Sequence, residues 1–468
     1  MAEHSWCVLC LGLVPGCLVS TLLLGLRACA ACYREEYVLA FFHPYCNDGG
    51  GGERVLWCAI AALQREHPRL SIAVYTGDAP SGEAIIARVR ERFGIALPRP
   101  VRFVKLRSRW LIDASSYPRF TMLGQFLGGA FVAVEALCRL TPSVFVDTMG
   151  CACAYPVARG LFGCHVACYV HYPTISTEMI KAVGARRAEH NNDATIAASR
   201  WRTAVKLCYY CAFAALYALA GRFATVVLAN STWTAGHIRQ LWDARGVRVL
   251  FPPCDTTALA ELPLCPLERE QLVISIAQFR PEKAHAQQLR AFARLRERWP
   301  AEHADARLVI IGSVRDAGDA RRVAELRTLS TELGLDGCVL IATDVSYAER
   351  LGWLARAAVG LHTMWMEHFG IGIVELMASG VVPVAHASGG PLADIVVPVR
   401  GRPSGRLASS ADEYAEAMHE LLALAKEPGA RVAYAQLQRS AREAAARFSD
   451  DIFAEGFARA LRPLFGAP

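Results

Sequence analysis

The feature of the chain that most constrains its fold is a repeated alternation of short apolar runs with longer amphipathic segments. The apolar runs are rich in β-branched and aromatic residues, which is typical of strands, and the segments between them have helical spacing. Repeated β-α units of this kind form a parallel sheet that helices cover on both faces. The first series of candidate strands is Tyr37–His43, Leu70–Tyr75, Val101–Lys105, Val144–Asp147, Val166–Val170 and Ala224–Ala229.

A second series of strands follows a stretch rich in proline and cysteine, Phe251–Pro266. With 468 residues, the chain also exceeds the size at which a single hydrophobic core stops growing. We therefore predict an α/β fold with two Rossmann-like lobes, at residues 35–250 and 269–445, joined by a linker at 251–268. Residues 446–468 are expected to form a last helix that returns to the first lobe. The second series of strands is Leu272–Ala277, Arg307–Gly312, Cys338–Ala342, Val359–His362 and Val381–His386.

Residues 1–34 are predicted to form a membrane anchor. The uncharged run Cys7–Leu26 is long enough to cross a hydrocarbon core of about 30 Å as one helix. A cleaved signal peptide is the alternative, but no Lys or Arg precedes the run, and the run is longer than the apolar part of a signal peptide. Arg27 and Arg34 follow it, so the positive-inside rule places the rest of the chain on the cytosolic side. The odd number of cysteines, 17, also favours a reducing compartment.

Composition excludes several classes of protein. Hydrophobic residues make up 53% of the chain and charged residues 20%, which excludes intrinsic disorder. The net charge of +7 is modest and no dense basic run with interleaved aromatic residues occurs, so we expect no nucleic-acid partner.

Two apolar stretches, Phe120–Leu140 and Ala204–Ala220, predict either buried helices of the lobe or helices partly immersed in the cytosolic leaflet.

Four consecutive glycines, Gly49, Gly50, Gly51 and Gly52, follow the first strand and lead into a helix that begins near Glu53. Without Cβ atoms the backbone can approach a ligand closely, and the amino end of a helix favours an anion. The sequence lacks the P-loop pattern, and it lacks a dinucleotide fingerprint followed by an acid, which argues against a dehydrogenase. A flexible turn with no ligand is the alternative interpretation of the glycines.

In the second lobe, three strand ends combine charged residues with glycine. Glu367 precedes a helix predicted to begin near Gly370, and Glu375 lies in the first turns of that helix. Arg280 and Lys283 follow the first strand of the lobe, and Gly389-Gly390 follows another. Strand ends that meet at the switch point of an open α/β sheet are typical of a nucleotide site. The chain contains no Asp-x-Asp, so the diphosphate charge is expected to be neutralised by Arg, Lys and a helix dipole, with no metal site.

Taken together, these motifs resemble those of retaining glycosyltransferases of the GT-B type, whose mark is Glu-x7-Glu. More narrowly, two motifs are similar to those of GDP-mannose-dependent α-1,2-mannosyltransferases of the dolichol-linked oligosaccharide pathway. The similarity extends from about Tyr37 to Phe465. The two motifs are Phe42-His43-Pro44-Tyr45-Cys46-Asn47 with the four glycines, and His171-Tyr172-Pro173-Thr174-Ile175-Ser176.

The resemblance implies a GT-B fold, in which two lobes face a cleft behind an N-terminal transmembrane helix. It also implies transfer of mannose from GDP-mannose, with retention and without a cofactor, to Man3GlcNAc2 on dolichol diphosphate, for protein N-glycosylation. The fourth and fifth mannoses would be added at the cytosolic face of the endoplasmic reticulum. Implied partners are the lipid-linked oligosaccharide, that membrane, and other mannosyltransferases of the pathway. The alternatives are an α-1,3- or α-1,6-mannosyltransferase of the same pathway and a non-catalytic scaffold.

Residue by residue, the resemblance implies catalytic roles for Glu367 and His171, and an acceptor side lined by Gly49, Gly50, Gly51 and Gly52. The sequence departs from the broader family at Ala277-Gln278, where many relatives have Gly-Arg, and at Asp394, where Glu is common. No pair of nucleophile and base is evident, and the resemblance implies that the leaving phosphate takes the proton of the acceptor. The implied donor-binding residues are Arg280, Lys283, Phe369, Gly370, Ile371, Glu375, Gly389 and Gly390.

Overall fold

The computed structural model describes residues 25, 27–28, 30–186, 198–264 and 269–465. The anchor predicted at Cys7–Leu26 lies outside the described residues, apart from Gly25. Within the described part, the chain divides into two compact units. The first unit contains the chain up to Asn230, Thr234–Leu250 and the residues from Ala454 onward, and the second contains Ser231–Trp233 and Phe251–Phe453.

Each unit has its own sheet, whose strands pair in parallel throughout the described residues. The strands of the first unit are β1 Arg34–Phe42, β2 Ser71–Thr76, β3 Arg102–Lys105, β4 Thr141–Asp147, β5 His165–Val170, β6 Val226–Ala229 and β7 Arg248–Val249. Those of the second unit are β8 Glu270–Ile276, β9 Arg307–Gly312, β10 Val339–Thr343, β11 Ala357–His362, β12 Val382–His386 and β13 Arg406–Ala408.

Helices connect the strands. Those that precede β8 are α1 Gly51–Glu66, α2 Gly82–Phe93, α3 Thr121–Arg139, α4 Thr177–Gly184, α5 Arg200–Gly221, α6 Thr232–Trp242 and α7 Thr256–Ala260. Those that follow β8 are α8 His285–Arg298, α9 Ala317–Glu332, α10 Tyr347–Arg356, α11 Ile371–Ala378, α12 Ala411–Lys426, α13 Arg431–Ala446 and α14 Asp450–Leu461.

Both sheets have the same topology. The strand order is β3-β2-β1-β4-β5-β6-β7 in the first unit and β10-β9-β8-β11-β12-β13 in the second. If strands are counted within each unit, both orders begin 3-2-1-4-5-6, which is the order of the Rossmann fold. The prediction of two Rossmann-like α/β lobes is therefore confirmed. In such sheets ligands bind at the carboxyl ends of the strands, where the order reverses. That point lies between β1 and β4 in the first unit and between β8 and β11 in the second.

The strands predicted from the sequence are all present, with ends that shift by up to three residues. Strands β7 and β13, which are two and three residues long and lie at the edges of their sheets, were not predicted from the sequence. Strands this short contain too few residues to show a periodic pattern.

Successive residues of a strand in the second sheet pack in different hydrophobic clusters, because their side chains point to opposite faces. Helices therefore cover both faces of this sheet. Val273 of β8 packs in a cluster with residues of α8 and α12. Its neighbours Leu272 and Ile274 pack in another cluster, with residues of α11 and α13. Strands buried on both faces are nearly continuous apolar runs, and this explains why the sequence signal for them is strong.

The end of the chain packs on the first unit. In α14, Phe457 stacks on Phe41 of β1 with ring centroids 6.3 Å apart. The guanidinium of Arg462, just after α14, lies 2.8 Å from a carboxylate oxygen of Glu66 at the end of α1.

Two helices of the first unit, α3 and α5, are long and apolar enough to span a membrane by length and composition. They pack against each other, because the Tyr209 hydroxyl accepts a hydrogen bond from the backbone N–H of Leu123 at 3.1 Å and the rings of Phe126 and Phe213 are 5.6 Å apart. Only 33% of the apolar 18-residue segment of α3 and 28% of that of α5 are buried. The prediction that these stretches are helical is therefore confirmed, and much of their apolar surface lies outside the core.

Two glycines in helices of the first unit differ sharply in their surroundings. A Cβ at Gly221, at the end of α5, would lie 2.2 Å from the buried ring of Trp242, whereas a Cβ at Gly236, in α6, would meet nothing within 4 Å. We expect Gly221→Ala to lower the free energy of unfolding by about 1–3 kcal/mol through overpacking. The matched change Gly236→Ala should raise it by about 0.4–1 kcal/mol, because it only restricts the unfolded chain. Denaturant titrations of both variants check this, and equal effects would contradict the packing around Gly221.

Candidate functional site

The second unit holds a buried ion pair at its switch point. Strand β11 ends at His362, and Glu367 lies five residues later with only 8% of its surface exposed. One oxygen of its carboxylate, Oε2, accepts a hydrogen bond from Nζ of Lys283 and lies 3.1 Å from Nε2 of His362. Lys283 follows β8 and His362 ends β11, so the two strands that flank the switch point both supply a partner for the carboxylate.

These partners keep Glu367 ionised. Burial alone raises the pKa of a carboxyl group, but the charge of Lys283 and the hydrogen bond from His362 outweigh it, and the pKa of Glu367 lies well below its ordinary value. Its second oxygen, Oε1, accepts a hydrogen bond from the backbone N–H of His368 at 3.2 Å. Glu367 is therefore a hydrogen-bond acceptor near neutral pH and has no proton to give.

The loop that contains Glu367 packs directly on the loop after β12. The N–H of Gly390 donates a hydrogen bond to the carbonyl of Glu367 at 2.8 Å, and the hydroxyl of Ser388 accepts one from the N–H of Met366 at 2.8 Å. A Cβ at Gly390 would lie 2.7 Å from the backbone of Phe369, and one at Gly389 would lie 2.4 Å from the carbonyl of Glu367. Gly389 also has a φ of +58°. The two glycines therefore let the two loops touch, and this contact positions the backbone of Glu367.

Gly370 and Ile371 form the start of helix α11. Gly370 has a φ of +116° and precedes the first helical residue, Ile371, so the first N–H groups of α11 lie at the switch point. The sequence resemblance implies that Phe369 binds the donor, but its ring is only 3% exposed and packs against Phe251 and Phe448. Phe369 thus has a side chain in the core and offers only its backbone to a ligand.

The other carboxylate of the Glu-x7-Glu motif, Glu375, lies on α11. Its Oε2 is 3.6 Å from the guanidinium of Arg350 in α10. Arg280 follows β8 as predicted, with 40% of its side chain exposed, and its guanidinium lies 3.9 Å from Glu282. Lys283 and Glu367 are therefore in direct contact with each other, whereas Arg280 pairs with Glu282 and Glu375 pairs with Arg350.

The structure adds His285 to this region. It is the first residue of α8, and only 3% of its surface is exposed. Burial, together with the nearby charges of His362 and Lys283, lowers the pKa of His285 to about 4. His285 therefore stays neutral near pH 7 and adds no charge next to Lys283.

Asp394, one of the departures from the broader family, has a structural partner. Its carboxylate accepts hydrogen bonds from both the backbone N–H, at 2.8 Å, and the hydroxyl of Thr232, the first residue of α6. Asp394 thus has two hydrogen-bond donors from Thr232, a residue of its own unit.

In the first unit, the loop after β1 is held by a buried histidine. His43 is fully buried, with Nδ1 2.7 Å from the hydroxyl of Thr148 and Nε2 3.2 Å from the carboxylate of Glu53. Glu53 in turn accepts a hydrogen bond from the backbone N–H of Gly50. Burial raises the pKa of Glu53, but the hydrogen bond from His43 and the backbone donors outweigh it, so that its pKa is lowered. Glu53 thus ties the glycine loop to β1 and β4.

The predicted residues Gly52 and His171 come together in the first unit. A Cβ at Gly52 would lie 3.6 Å from Nε2 of His171, which directly follows β5. Gly49 begins the glycine run with a φ of +75°, so it has a backbone conformation that favours glycine. Gly50 precedes α1, and Gly51 and Gly52 are its first residues. The glycine loop, which follows β1, and the His-Tyr-Pro motif, which follows β5, therefore lie next to each other through Gly52 and His171.

Asp147, at the end of β4, is fully buried beside this site. It accepts hydrogen bonds from the hydroxyl of Tyr155 at 2.6 Å and from the N–H of Met149 at 2.9 Å. Burial raises the pKa of Asp147. With its oxygens committed to these donors, Asp147 orders the loop after β4.

His43, His362 and Glu53 belong to motifs of the sequence, but their positions in these motifs predict no role for them. Their partners are far apart in sequence, as the pair of His43 and Thr148 illustrates, and no local pattern indicates such contacts. The signal that was available is the position of both histidines at the end of a predicted strand, where ligand-binding residues of α/β sheets concentrate.

Two protein families match different parts of the chain. Residues 36–242 match the family described as ALG11 mannosyltransferase N-terminus, and residues 266–438 match the family described as Glycosyl transferases group 1. Among solved structures, sucrose-phosphate synthase from Thermosynechococcus elongatus superimposes with a TM-score of 0.65 at 18% identity, covering 93% of this chain and 100% of that one. HepE from Anabaena, in complex with UDP and glucose, gives a TM-score of 0.59 at 18% identity, covering 91% and 99%. At such identities the likeness concerns the fold alone.

Two Rossmann-like units with these structural neighbours define a glycosyltransferase of the GT-B fold. Curated relatives narrow the assignment. A human protein named GDP-Man:Man(3)GlcNAc(2)-PP-Dol alpha-1,2-mannosyltransferase is 44% identical over 92% of this chain and 88% of its own length. Proteins of the same name from Xenopus laevis and Dictyostelium discoideum are 45% and 43% identical, each over 92% of this chain, and over 88% and 85% of their own lengths. The chain belongs to the family of these α-1,2-mannosyltransferases.

The lowered pKa of His285 predicts a specific loss of stability in acid. In the unfolded chain His285 takes up a proton near its ordinary pKa of 6.5, but in the folded protein only near 4. Its contribution to stability is therefore present at neutral pH and is lost as the pH falls from about 6.5 to about 4. At pH 5 this loss amounts to about 2 kcal/mol.

Guanidinium titrations at pH 7 and pH 5 check this prediction. We expect His285→Gln to be less stable than the wild type at pH 7 and to lose about 2 kcal/mol less between the two pH values. His303, whose pKa burial also lowers to about 4, should leave a residual slope in the variant. Equal slopes for wild type and variant would contradict the neutral, buried state of His285.

Proposed function

We propose that the protein transfers mannose from GDP-mannose, in α-1,2 linkage and with retention, to Man3GlcNAc2 on dolichol diphosphate. Two successive transfers add the fourth and fifth mannoses of the lipid-linked precursor for protein N-glycosylation. The observation that supports this most strongly is 43–45% identity over 92% of the chain to relatives named for this activity. Because the mannosyl bond is α both in GDP-mannose and in the product, the reaction retains the anomeric configuration.

The second unit is the proposed site of GDP-mannose. The N–H groups that begin α11 at Gly370 and Ile371, with Lys283 and Arg280 nearby, supply positive charge for a diphosphate. Gly389 and Gly390 leave room for a ligand to approach the backbone at the same strand ends. In this proposal Glu375 binds the ribose hydroxyls, because a carboxylate accepts two hydrogen bonds from a diol. The charge of the diphosphate is neutralised by these groups and not by a metal.

Glu367 is proposed to bind the hydroxyl groups of the transferred mannose. Its carboxylate stays ionised because Lys283 and His362 compensate for its burial, so it accepts hydrogen bonds and donates none. A buried carboxylate can also stabilise the positive charge that develops on the sugar ring as the bond to phosphate breaks. Because its pKa is lowered, it has no proton for the leaving group.

The first unit is the proposed acceptor side. Gly49, Gly50, Gly51 and Gly52 form a surface without side chains, and His171 lies against Gly52. In our proposal the attacking 2-hydroxyl of the acceptor mannose gives its proton to the departing diphosphate oxygen on the same face of the sugar. His171 orients the transferred mannose by hydrogen bonding. This path forms the new C–O bond as the bond to phosphate breaks, and it needs no covalent mannosyl enzyme.

We further propose that the chain lies at the cytosolic face of the endoplasmic reticulum membrane, with an anchor in residues 1–34. The acceptor is a lipid, and α3 and α5 expose apolar residues that could meet a membrane surface. In α3, Leu127 and Phe131 are four residues apart and about 60% exposed. Along α5, exposed residues follow one another at intervals of three or four, namely Trp201, Val205, Cys208, Ala212, Ala215 and Leu219. Complexes with other mannosyltransferases of the pathway remain a prediction from the sequence resemblance.

The alternatives make different predictions. An α-1,3- or α-1,6-mannosyltransferase would use a shorter acceptor, and a scaffold would bind pathway enzymes without transferring sugar. The relatives named above favour neither of them, and a scaffold would not need the buried pair of Lys283 and Glu367, which costs desolvation.

A reconstituted transfer reaction tests the proposed function. The purified protein in detergent is incubated with GDP-mannose and a phytanyl-linked Man3GlcNAc2 diphosphate, with and without EDTA, and the products are weighed by mass spectrometry. We expect two added hexoses, removable by an α-1,2-mannosidase, in both conditions. Glu367→Gln should lower kcat/KM about 100-fold or more, because it removes the charge that faces the reacting sugar. Glu375→Ala should mainly raise the KM for GDP-mannose, by about 10-fold or more.

Glu332→Gln, an exposed glutamate at the end of α9, is the matched control and should transfer at the wild-type rate. Transfer only to a shorter acceptor would move the assignment to a sister enzyme. If the folded protein transfers mannose to no acceptor, with or without EDTA, the result would favour the scaffold.

Lipid photolabelling tests the membrane proposal. We expect a phospholipid with a photoreactive acyl chain, in vesicles that hold the full-length protein, to label α3 and α5 as well as the anchor. The double change Leu127→Glu and Phe131→Glu should reduce labelling of α3 several-fold, because charges are costly in hydrocarbon. Exposed residues of α9 in the second unit serve as the unlabelled control. Labelling confined to residues 1–34 would show that α3 and α5 do not enter the membrane.

A further inference from the structure

A second cluster of titratable side chains lies in the second unit, away from Glu367. Glu302 and His303 follow the end of α8, just before β9, and His419 lies in the middle of α12. Helix α8 starts at the carboxyl ends of the strands and returns the chain to their amino ends, where β9 begins. The same edge is marked by Gln271, the second residue of β8, which contacts His303. The cluster therefore lies at the edge of the sheet opposite to the proposed donor site.

The three side chains point their ligand atoms at one another. Nε2 of His303 lies 2.9 Å from Nδ1 of His419, and Nδ1 of His419 lies 3.4 Å from Oε2 of Glu302. All three atoms are within 4.8 Å of one another. His303 is only 1% exposed, whereas Glu302 is exposed, so the cluster is open to solvent on one side.

The hydrogen bonds around His303 determine which of its nitrogens is free to bind. The amide nitrogen of Gln271 donates to the carbonyl of Leu422 at 2.9 Å, which leaves its oxygen facing Nδ1 of His303 at 3.3 Å. Nδ1 must therefore carry the proton, and Nε2 presents a lone pair to His419 and Glu302. Metal-binding histidines are oriented in this way, by a second nitrogen that donates to an oxygen of the protein.

The other two members are also held in place. The ring of His419 stacks on Trp299 with centroids 4.0 Å apart and an angle of 2° between the planes. Lys426 donates a hydrogen bond to the backbone carbonyl of Glu302 at 3.1 Å. Both the imidazole and the loop before β9 are therefore ordered by contacts that leave the ligand atoms available.

We propose that His303 Nε2, His419 Nδ1 and Glu302 Oε2 form a zinc-binding site that joins the loop after α8 to α12. Two imidazoles and a carboxylate are ligands that Zn2+ prefers, and bonds of about 2.0–2.1 Å in a tetrahedron place ligand atoms about 3.3 Å apart. Two of the three observed spacings, 2.9 and 3.4 Å, are close to that value, and the third pair of atoms lies within 4.8 Å. Solvent supplies the remaining coordination position on the open side.

Zinc binding requires only a rearrangement of protons within the cluster. Without metal, the bond between the two histidines needs a proton on Nδ1 of His419, because Nε2 of His303 carries none. When Zn2+ binds, Nδ1 of His419 gives up its proton and Nε2 takes one up from solvent, so that the ring changes tautomer and stays neutral. His419 is 27% exposed, so its second nitrogen can exchange this proton with solvent. The site does not depend on the proposed transfer reaction, and it leaves that reaction independent of metal.

Metal titration of the full-length protein tests the site. Co2+ should give visible d–d absorption without the intense near-ultraviolet band of thiolate ligands, which distinguishes the cluster from the many cysteines. Zn2+ at about a hundredfold excess over its Kd should raise the melting temperature by about 5 °C. His419→Phe, which keeps a flat ring on Trp299, should abolish the d–d absorption and the shift, and should leave mannose transfer unchanged.

Two further variants keep the test sharp if His419→Phe fails to fold. Glu302→Gln changes an exposed side chain and should weaken Co2+ binding about 10-fold or more. His165→Ala removes an exposed histidine of the first unit and should bind as the wild type does. The proposal is overturned if Co2+ or Zn2+ binding is absent, if it persists unchanged in both Glu302→Gln and His419→Phe, or if its spectrum is that of thiolate ligands.

Discussion

The organisation of the second unit depends on one buried charge. Glu367 is almost fully removed from water, and an isolated carboxylate in that position would take up a proton or destabilise the fold. Lys283 and His362 prevent this; Lys283 lies in the loop after β8, and His362 ends β11. The requirement to compensate one carboxylate therefore joins the segments at the carboxyl ends of β8 and β11, and it produces an ionised acceptor at the proposed donor site.

The loops around that carboxylate depend on the absence of side chains. Gly389 and Gly390 lie so close to the backbone of Glu367 and Phe369 that any Cβ would force the loops apart. In the first unit the carboxylate of Glu53 links Gly50 to His43 and so holds the glycine loop against the end of β1. The two units thus differ: a carboxylate fixes the glycine segment in the first, whereas in the second the glycines contact the backbone of the residue that carries the carboxylate.

Much of this could be predicted from the sequence, because the signals are local. Strands buried on both faces are continuous apolar runs, and the glycines, Glu367 and Lys283 lie in the segments that follow such runs. The short edge strands β7 and β13 could not be predicted, since two or three residues show no period. The roles of His43 and His362 could not be predicted either, because their partners lie in other strands or loops. Phe369 belongs to a motif whose residues suggest contact with a ligand, yet its ring packs in the core with Phe251 and Phe448.

The fold class and the division into two α/β units follow from the amino-acid sequence alone, and so do the strand ends at which the proposed binding residues lie. These follow from periodicity and from punctuation by glycine and proline, which act over a few residues. Only the tertiary structure decided which side chains meet, such as Lys283 with Glu367, Gly52 with His171, and His303 with His419. The reason is physical: the protonation state of a buried group depends on the charges and donors that surround it in space, and chain segments far apart in sequence supply them.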